Sequence, residues 1–383
     1  MRYEMKEVTI VQHRLLHYRV ELFQCIKVLL EKENIKLNLV HGQASDFEAK
    51  RKDEATLSWA IKIKNTFKRI GGVDLIWQSL PKVVDECDLL ILMQENRIIS
   101  NYFKVIKRNA LGKKVGYWGH GKNLQSTKPN GLKELWKKKW LTSVDWWFAY
   151  TGSTVDYLIN QDFSKNNITC LNNAIDVNAF KLELTSIAIE QVEEVRDELD
   201  IPYDANVGIF CGSLYAEKRL DLMLNAIDLV KSKINNFYVI VIGDGPDAIF
   251  LHDAALTRPW LTLVGVKKGM EKALYYRLAT IMLNPGLVGL HILDSFCAGV
   301  PMITTSDALH SPEYDYLDNG TNGLVTEGTS LAYSDAIISL LSNDTNLKKM
   351  KNAAFLDSEK YTVEAMAKNF TEGIVAALEV EKT

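Results

Sequence analysis

Short runs of apolar residues alternate along almost the whole chain with longer stretches in which apolar residues recur every three to four positions. The short runs have the length of β-strands, and the longer stretches have the spacing of helices with one buried face. Short apolar strands that alternate with helices predict βαβ units and a buried parallel sheet. Strands are predicted at 8–12, 36–41, 89–93, 114–118, 146–149, 168–171, 206–211, 238–242, 261–264, 281–285 and 302–304.

The pattern breaks once, between residues 181 and 200, where an acidic, helix-favouring segment contains no strand. We therefore predict an α/β chain of two Rossmann-like doubly wound domains, 1–177 and 178–383. Ligands of open α/β sheets bind beyond the carboxyl ends of the strands. With two such domains, the expected site is a central cleft that both domains face.

Composition and charge sharpen this division. Residues 1–180 hold 28 Lys and Arg against 19 Asp and Glu, and residues 181–383 hold 17 against 29. The net charges are therefore +9 and −12, and residues 101–150 alone, with 11 basic and 2 acidic side chains, supply +9. A basic half joined to an acidic half indicates two domains with different tasks.

Several classes of protein are excluded by the same sequence. With 47% hydrophobic and 24% charged residues the chain is not disordered, and no apolar run approaches the roughly 20 residues of a membrane-spanning helix. The N-terminal residues are not typical of a signal peptide. The five cysteines form no C-x-x-C pair, which favours reduced thiols in the cytoplasm and no zinc site.

The first segment with candidate chemistry follows the strand at 206–211. Gly212 and Ser213 begin a short loop, and Lys218 and Arg219 stand where the next helix opens. Free backbone N–H groups at a helix start, together with two cations, are suited to bind a diphosphate. The alternative is that both cations lie on an ordinary solvated first turn.

The second segment follows the strand at 281–285. Two glycines leave backbone N–H groups exposed before a helix, and Asp294 lies one turn beyond the start of that helix. A carboxylate there can accept two hydrogen bonds from a ribose diol, although a single aspartate on a helix is often only solvated. The candidate binding residues of this loop are Gly286, Leu287, Val288, Gly289 and Leu290.

A third candidate is His120, which has a glycine on either side and follows the strand at 114–118. Its imidazole has a suitable pKa for moving protons. The alternative is a structural histidine at the end of a strand.

The C-terminal segments resemble the nucleotide-sugar domain of family 4 glycosyltransferases, which have the GT-B fold. The resemblance covers most of residues 206–345, and further similar segments lie in the N-terminal half. Besides the segments above, it includes these sequences: Gly243-Asp244-Gly245-Pro246, Ala298-Gly299-Val300-Pro301, Asp318-Asn319-Gly320-Thr321-Asn322-Gly323-Leu324-Val325, His17-Tyr18-Arg19, Tyr150-Thr151-Gly152-Ser153 and Asn172-Asn173-Ala174-Ile175-Asp176.

This resemblance implies transfer of a sugar from a nucleoside-diphosphate sugar to an acceptor hydroxyl, with retention of the anomeric configuration. It also implies that no tightly bound metal or other cofactor is needed, because cations and helix N-termini of the protein hold the diphosphate. The last helix, near 363–379, is expected to pack back on the N-terminal domain. His120 would lie near the donor sugar and the acceptor, with His17 and Arg19 on the acceptor side.

The resemblance also implies roles for residues of the donor domain. Lys218 matches the lysine that contacts the donor phosphates, which makes Lys218 and His120 the catalytic candidates. Asp294 matches the acidic residue that holds the ribose. Ser213 stands where the family has an arginine, and Arg219 is a candidate substitute. Gly286 stands where the family has a carboxylate for the donor sugar, so the sugar is held differently, is unusual (a deoxy sugar, for example), or activity is lost.

A helix predicted at 132–141 carries basic and aromatic side chains. It is suited to bind an anionic membrane surface through Lys133, Lys137, Lys138 and Lys139. The alternative is an ordinary helix whose lysines are solvated. No nucleic-acid motif is present, and an acidic half argues against nucleic acid as a partner.

The sequence thus predicts a retaining, metal-independent hexosyltransferase of polysaccharide or glycoconjugate biosynthesis. It would be cytoplasmic, with peripheral binding to the inner face of the membrane as an additional hypothesis. Its partners would be a nucleotide sugar and a glycan or lipid-linked acceptor. Two alternatives stay open, a non-catalytic subunit that binds a nucleotide sugar and a sugar-nucleotide epimerase of the same architecture.

Overall fold

The computed structural model describes residues 5–50, 53–121 and 138–382. The chain divides into two compact units. Unit 1 comprises Met1–Ile175 together with Val363–Thr383, and unit 2 comprises Asp176–Thr362. The 363–379 segment thus returns to the first unit.

Unit 1 is built on a parallel sheet of seven strands, whose order is β3-β2-β1-β6-β7-β8-β9. Most of these strands are buried on both faces, so their sequences are continuous apolar runs rather than alternating ones. The strands are β1 Lys6–Gln12, β2 Ile35–His41, β3 Ile61–Lys62, β6 Leu89–Met93, β7 Lys114–Gly119, β8 Trp146–Ala149 and β9 Ile168–Cys170.

The helices of unit 1 cover this sheet with amphipathic faces. The helix that follows β1 buries Leu22, Phe23, Ile26 and Leu30, which recur at helical spacing. In the helix at Val363–Glu379, Phe370 stacks on Phe148 of β8 with 4.6 Å between ring centroids. The helices are α1 Val20–Lys32, α2 Asp46–Ala49, α3 Val83–Glu86, α4 Ile99–Ala110, α5 Gly152–Asn160 and, after unit 2, α14 Val363–Glu379.

An antiparallel hairpin in unit 1 was absent from the sequence prediction. Its strands are β4 Asn65–Ile70 and β5 Val73–Gln78. Gly71 and Gly72 form the turn with φ of 57° and 82°, the left-handed conformation that two-residue hairpin turns require. The Gly-Gly pair was the available signal for this hairpin.

Unit 2 is built on a second parallel sheet, with the order β12-β11-β10-β13-β14-β15. This is the 3-2-1-4-5-6 order of Rossmann domains, with the order reversing between β10 and β13. The strands are β10 Asn206–Cys211, β11 Phe237–Ile242, β12 Leu261–Gly265, β13 Ile281–Leu283, β14 Met302–Thr305 and β15 Gly323–Thr326. The last of these was not predicted as a strand.

The acidic segment that interrupts the sequence pattern forms two helices. The next four helices of unit 2 alternate with strands, and the last two follow β15 with no strand between them. The helices are α6 Val177–Ser186, α7 Ile189–Glu198, α8 Leu220–Lys233, α9 Ala248–Ala255, α10 Gly269–Leu278, α11 His291–Cys297, α12 Ser330–Leu341 and α13 Asp344–Asp357. The prediction of an α/β chain with two Rossmann-like domains is therefore confirmed. Within the described ranges, no helix is long and apolar enough to cross a membrane.

Candidate functional site

In unit 2, two loops meet at the point where the strand order reverses. One loop follows β10 and the other follows β13, its neighbour in the sheet. The backbone N–H of Leu287 donates to the carbonyl of Glu217 at 2.9 Å, and Lys218 Nζ donates to the carbonyl of Leu287 at 2.6 Å. The structure thus brings together Lys218 and the 286–290 loop, which the sequence placed in one site.

The side chain of Lys218 is only 3% exposed. Burial lowers the pKa of its ammonium group to about 8, because a charged group loses hydration inside the protein. One carbonyl partner compensates this loss only in part. An anion bound in place of that carbonyl would stabilise the charged form of the ammonium group. The environment of Lys218 therefore favours a negatively charged ligand.

Backbone N–H groups are available beside this lysine. No group in the described ranges accepts a hydrogen bond from the amides of Gly289 or Leu290, which precede α11. Asn284 holds the loop from below, its Nδ2 donating to the carbonyls of Gly286 and Leu287 at 3.2 Å each. A loop with free amides, held by Asn284 beside a buried cation, is suited to bind phosphate oxygens.

Gly286 lies directly against the other loop. A Cβ atom at this position would lie 2.2 Å from the carbonyl oxygen of Glu217 and 2.5 Å from Cα of Lys218. These are backbone atoms, which cannot move aside cheaply. A carboxylate-bearing residue at 286 is therefore incompatible with this position of Lys218, and the departure at Gly286 is part of how the lysine is placed.

Asp294 forms a buried ion pair that the sequence analysis did not foresee. Lys272 of α10 donates to its Oδ1 at 2.9 Å, and the ammonium group lies 4.2 Å from the ring centroid of Phe180. Burial disfavours the charge on Lys272, but the carboxylate of Asp294 outweighs it and raises the pKa of the lysine. The pair holds Asp294 in one orientation, and no donor in the described ranges is hydrogen-bonded to its Oδ2.

Two other predicted donor-site residues have different surroundings. Arg219, in the left-handed conformation with φ of 54°, donates to Asp307 at 2.7 Å and to the carbonyl of Gly328 at 2.9 Å. Its guanidinium is therefore bound to the loops that follow β14 and β15. Ser213 is exposed on the loop after Gly212, whose Cβ position faces the end of the Lys218 side chain at 3.9 Å.

His310 supports the 286–290 loop from outside. Its Nδ1 accepts a hydrogen bond from the amide of Val288 at 3.1 Å, and its Nε2 donates to the carbonyl of Thr305 at 2.7 Å. This arrangement requires the neutral imidazole, and burial accordingly lowers the pKa of His310.

In unit 1, a cavity of about 460 Å³ lies at the carboxyl ends of β6 and β7. His120, which follows β7, lines this cavity. Burial lowers the pKa of His120, so the imidazole is neutral at neutral pH. Other lining residues are Val73, Gln94, Glu95, Arg97, Asn101, Tyr102, Trp118 and Trp140.

Four of the residues that line the cavity carry buried polar atoms without a hydrogen-bond partner in the described part of the chain. They are Gln94 Oε1, Asn101 Oδ1, Trp118 Nε1 and His120 Nδ1. Such atoms are rare in folded proteins because each one loses its hydration. Hydrogen-bonding groups of both kinds, acceptors and a donor, therefore belong to the residues that line this cavity.

A charged network borders the same cavity and was missed by the sequence analysis. Arg97 donates to Glu95 at 2.6 Å and to Glu48 at 2.9 Å, and His13 lies 3.3 Å from Glu48. Burial alone would raise the pKa of Glu48, but its hydrogen bonds with His13, the Ser45 amide and Arg97 hold that pKa well below its usual range. Across the described ranges, no three His, Cys, Asp or Glu side chains are placed to hold a metal ion.

The two predicted acceptor-side residues do not line this cavity. His17 is exposed, with Nδ1 3.1 Å from the carbonyl oxygen of Asp53. Arg19 is buried and donates to Asn173 at 2.6 Å, while its guanidinium lies over the ring of Trp118 at 5.3 Å. Arg19 therefore ties elements of unit 1 together.

The proposed membrane-binding lysines are only partly described. Lys133 and Lys137 lie outside the described residues. Lys138 and Lys139 belong to a short helical stretch, in which Lys138 donates to Asp162 at 2.6 Å and Lys139 is exposed.

Comparison with known sequences finds a family match within the second unit. Residues 205–343 match the family described as Glycosyl transferases group 1. The alpha-monoglucosyldiacylglycerol synthase of Acholeplasma laidlawii is 27% identical over 192 residues, which are 48% of this chain and 47% of that protein. The match thus spans about half the length of this curated relative.

Solved structures share the architecture of the whole chain. HepE of Anabaena in complex with UDP has a TM-score of 0.68 and 13% identity over 97% of this chain and all of that one. The lipopolysaccharide outer core galactosyltransferase WaaB has a TM-score of 0.64 and 15% identity over 97% and 99%. A putative UDP-N-acetylglucosamine 2-epimerase from Listeria monocytogenes has a TM-score of 0.60 and 13% identity over 98% and 97%. At these identities the similarity establishes the fold.

Proposed function

We propose that this chain, whose residues 205–343 form a domain of the glycosyl transferases group 1 family, is a retaining, metal-independent glycosyltransferase. It transfers a sugar, a hexose in our proposal, from a nucleoside-diphosphate sugar to a hydroxyl of a glycan or lipid-linked acceptor. Unit 2 binds the donor and unit 1 binds the acceptor.

One observation carries the proposal, the buried Lys218 beside the free amides of Gly289 and Leu290. A lysine at 3% exposure with one carbonyl partner needs an anion. The second oxygen of Asp294 is suited to accept hydrogen bonds from a ribose diol. A diphosphate joined to a ribose therefore satisfies all three features, and a nucleoside diphosphate has this composition.

The same groups account for catalysis. As the bond from the sugar to the diphosphate breaks, negative charge grows on the leaving oxygen, and Lys218 with the loop amides stabilises that charge. The sugar develops positive charge, which the departing diphosphate stabilises on the same face. Attack from that face gives retention. No step requires a metal ion, because the cation and the amides replace it.

The acceptor side rests on the cavity of unit 1. The side-chain amides of Gln94 and Asn101 supply oxygens that accept hydrogen bonds from hydroxyl groups, and the neutral imidazole of His120 can accept a proton. A sugar or polyol headgroup supplies such hydroxyls. The match with a glucosyldiacylglycerol synthase favours a lipid-linked acceptor at the cytoplasmic face of a membrane, where Lys133, Lys137, Lys138 and Lys139 remain candidate contacts.

A thermal-shift panel of UDP, GDP, dTDP, ADP and CMP tests the donor site. A nucleotide at 100 times its dissociation constant stabilises the fold by about 2.7 kcal/mol. We expect one nucleotide class to raise Tm, and Lys218→Ala and Asp294→Ala to abolish the rise. Lys233→Ala, an exposed lysine at the other end of α8, should retain it. Failure of every nucleotide to raise Tm in the wild-type protein would refute the donor site.

Turnover separates the enzyme from its two alternatives. A non-catalytic subunit would bind the nucleotide but release no nucleoside diphosphate from the matching nucleotide sugar. An epimerase would change the sugar without needing an acceptor, and it would leave the anomeric bond to the diphosphate intact or release the diphosphate by elimination. We expect release that depends on an acceptor and that persists in the presence of EDTA.

A further inference from the structure

An apolar surface on unit 1 lies outside the sites described above. On one face of the β4–β5 hairpin, Ile70 pairs with Val73 and Thr66 pairs with Trp77. Ile70, Val73 and Trp77 are 53%, 51% and 45% exposed, whereas Ile76 on the opposite face is fully buried. The hairpin therefore packs through one face and leaves an apolar face open.

Helix α4 extends this face. Phe103 and Ile106 are 58% and 56% exposed, and the ring of Phe103 meets that of Trp77 edge to face at 5.4 Å. We call Ile70, Val73, Trp77, Phe103 and Ile106 the hairpin–α4 surface. Single exposed apolar residues are ordinary, but a contiguous group across two elements marks a contact with another body.

The charge of the surrounding residues indicates which kind of partner binds the hairpin–α4 surface. Residues 61–78 and 99–114 together contain nine Lys and Arg and one acidic residue, Asp74. Arg108 is buried, and Asp85 pairs with Lys104 and Lys107 at 2.8 and 2.9 Å, so the excess is reduced but remains positive. A second copy of this chain would bring the same positive charge against this surface, whereas an anionic bilayer is complementary to it.

The position of the surface supports the same choice. Val73 belongs to it, and Tyr102 precedes Phe103 on α4; both line the polar cavity of unit 1. An amphipathic lipid has a polar headgroup joined to an apolar tail. The polar cavity and the hairpin–α4 surface lie side by side, as the headgroup and the tail of such a lipid do.

We propose that the hairpin–α4 surface docks unit 1 on an anionic lipid bilayer and presents lipid headgroups to the cavity. Trp77, Phe103 and Ile106 enter the interfacial layer, and the surrounding lysines contact the anionic headgroups. This inference rests on the proposed function in its choice of a lipid-borne acceptor, but docking itself is measured without turnover.

Co-sedimentation with vesicles tests docking on the full chain. The vesicles contain phosphatidylcholine alone or mixed with phosphatidylglycerol. We expect binding to the mixed vesicles. The double substitution Trp77→Ser with Phe103→Ser should reduce it about tenfold or more, because full burial of one aromatic ring raises the partition coefficient by more than about tenfold. Lys68→Gln should reduce binding roughly fivefold. Ile249→Ser with Leu256→Ser, which removes two exposed apolar side chains of unit 2, should leave binding unchanged.

Fluorescence locates the contact. Trp77 is the one exposed tryptophan in the described ranges, so brominated acyl chains should quench it, and Trp77→Phe should remove most of that quenching while the protein still binds. The Tm shift with nucleotide should persist in Trp77→Ser with Phe103→Ser, which shows that the variant is folded. It also separates failure of docking from failure of the donor site.

Three results would overturn the inference. The first is absence of binding to mixed vesicles by a protein that still binds nucleotide. The second is equal binding by the surface variant and the unit 2 control. The third is conversion of a dimer to a monomer by the surface substitutions in sedimentation velocity, which would assign the surface to self-association.

Discussion

Unit 1 and unit 2 have the same strand order around the point where their sheets reverse, but they gather different groups there. Unit 2 offers backbone amides and one buried lysine, with few side chains. Unit 1 offers a cavity walled by polar and aromatic side chains, four of whose polar atoms lack partners in the described ranges. A site built from backbone groups is suited to a chemical group that many ligands share. A site built from side chains can be altered by substitution to fit a different substrate.

Among the variants that test this difference between the two units, Lys218→Ala is expected to lower activity most. Removing the cation from the leaving diphosphate should lower kcat/KM on the order of 10³-fold, a loss comparable to removing a preorganised donor from an oxyanion site. Release of nucleoside diphosphate at saturating acceptor measures it. Lys233→Ala should keep full activity, and a Lys218→Ala enzyme with normal kcat/KM would refute the role of this lysine.

His120→Ala probes the cavity of unit 1 in the same way. We expect transfer to the acceptor to fall roughly 10²-fold, the lower end of general acid–base contributions. The nucleotide-induced rise in Tm should not change, because the donor groups lie in unit 2. If the substitution instead abolished the nucleotide effect on Tm and left transfer intact, the division of labour between the units would be wrong.

The contact of Gly286 with the Lys218 loop can be tested through stability. Gly286→Ala forces a Cβ to within 2.2 Å of a backbone oxygen and should lower the free energy of unfolding by about 1–3 kcal/mol. Gly289→Ala is the matched control, since its Cβ would meet nothing nearer than 3.8 Å. Urea unfolding measures both, and equal stability of the two variants would contradict the packing argument.

The pH dependence of nucleotide binding gives the smallest effect. The pKa of Lys218 in the free protein is about 8, below its ordinary value, so the charge is present below pH 8 and is lost as the pH rises through that value. A bound diphosphate stabilises the charged form. Above pH 8, affinity should therefore fall by up to about tenfold per pH unit.

Calorimetric titration of the nucleotide from pH 6 to pH 10 measures this dependence. In Lys218→Arg the cation does not titrate in this range, so its affinity should not decline above pH 8. A decline of the same size in both proteins would assign the titration to another group.

The strands that could be predicted from the sequence are those buried on both faces. The strands Leu89–Met93 and Trp146–Ala149 were predicted at their observed bounds, because a short continuous apolar run is typical of a strand buried on both faces. The hairpin was missed because its exposed face carries Lys68, Thr66 and Trp77 together, which blurs the alternation of the strand. Its Gly-Gly turn was a local signal that could have been used.

Prediction of the candidate site from the sequence was also only partly possible. Lys218 and the 286–290 loop were identifiable because they follow strands that are adjacent in a Rossmann sheet. The Lys272–Asp294 pair and the contact of Arg97 with Glu48 were not, because these partners are 22 and 49 positions apart and meet only through tertiary packing. The partners of Arg219, Asp307 and Gly328, could not be predicted either, because sequence position does not give the direction of a side chain.

The return of α14 to unit 1 has a consequence for how the chain is made. Phe370 of this helix packs on Trp118 and Phe148, whose side chains are almost fully buried. A ribosome delivers these aromatic residues long before their partner, with all of unit 2 synthesised in between. Unit 2 is contiguous and can complete its core first, so the first half to emerge must wait, with part of its hydrophobic interior uncovered, for the second half to finish.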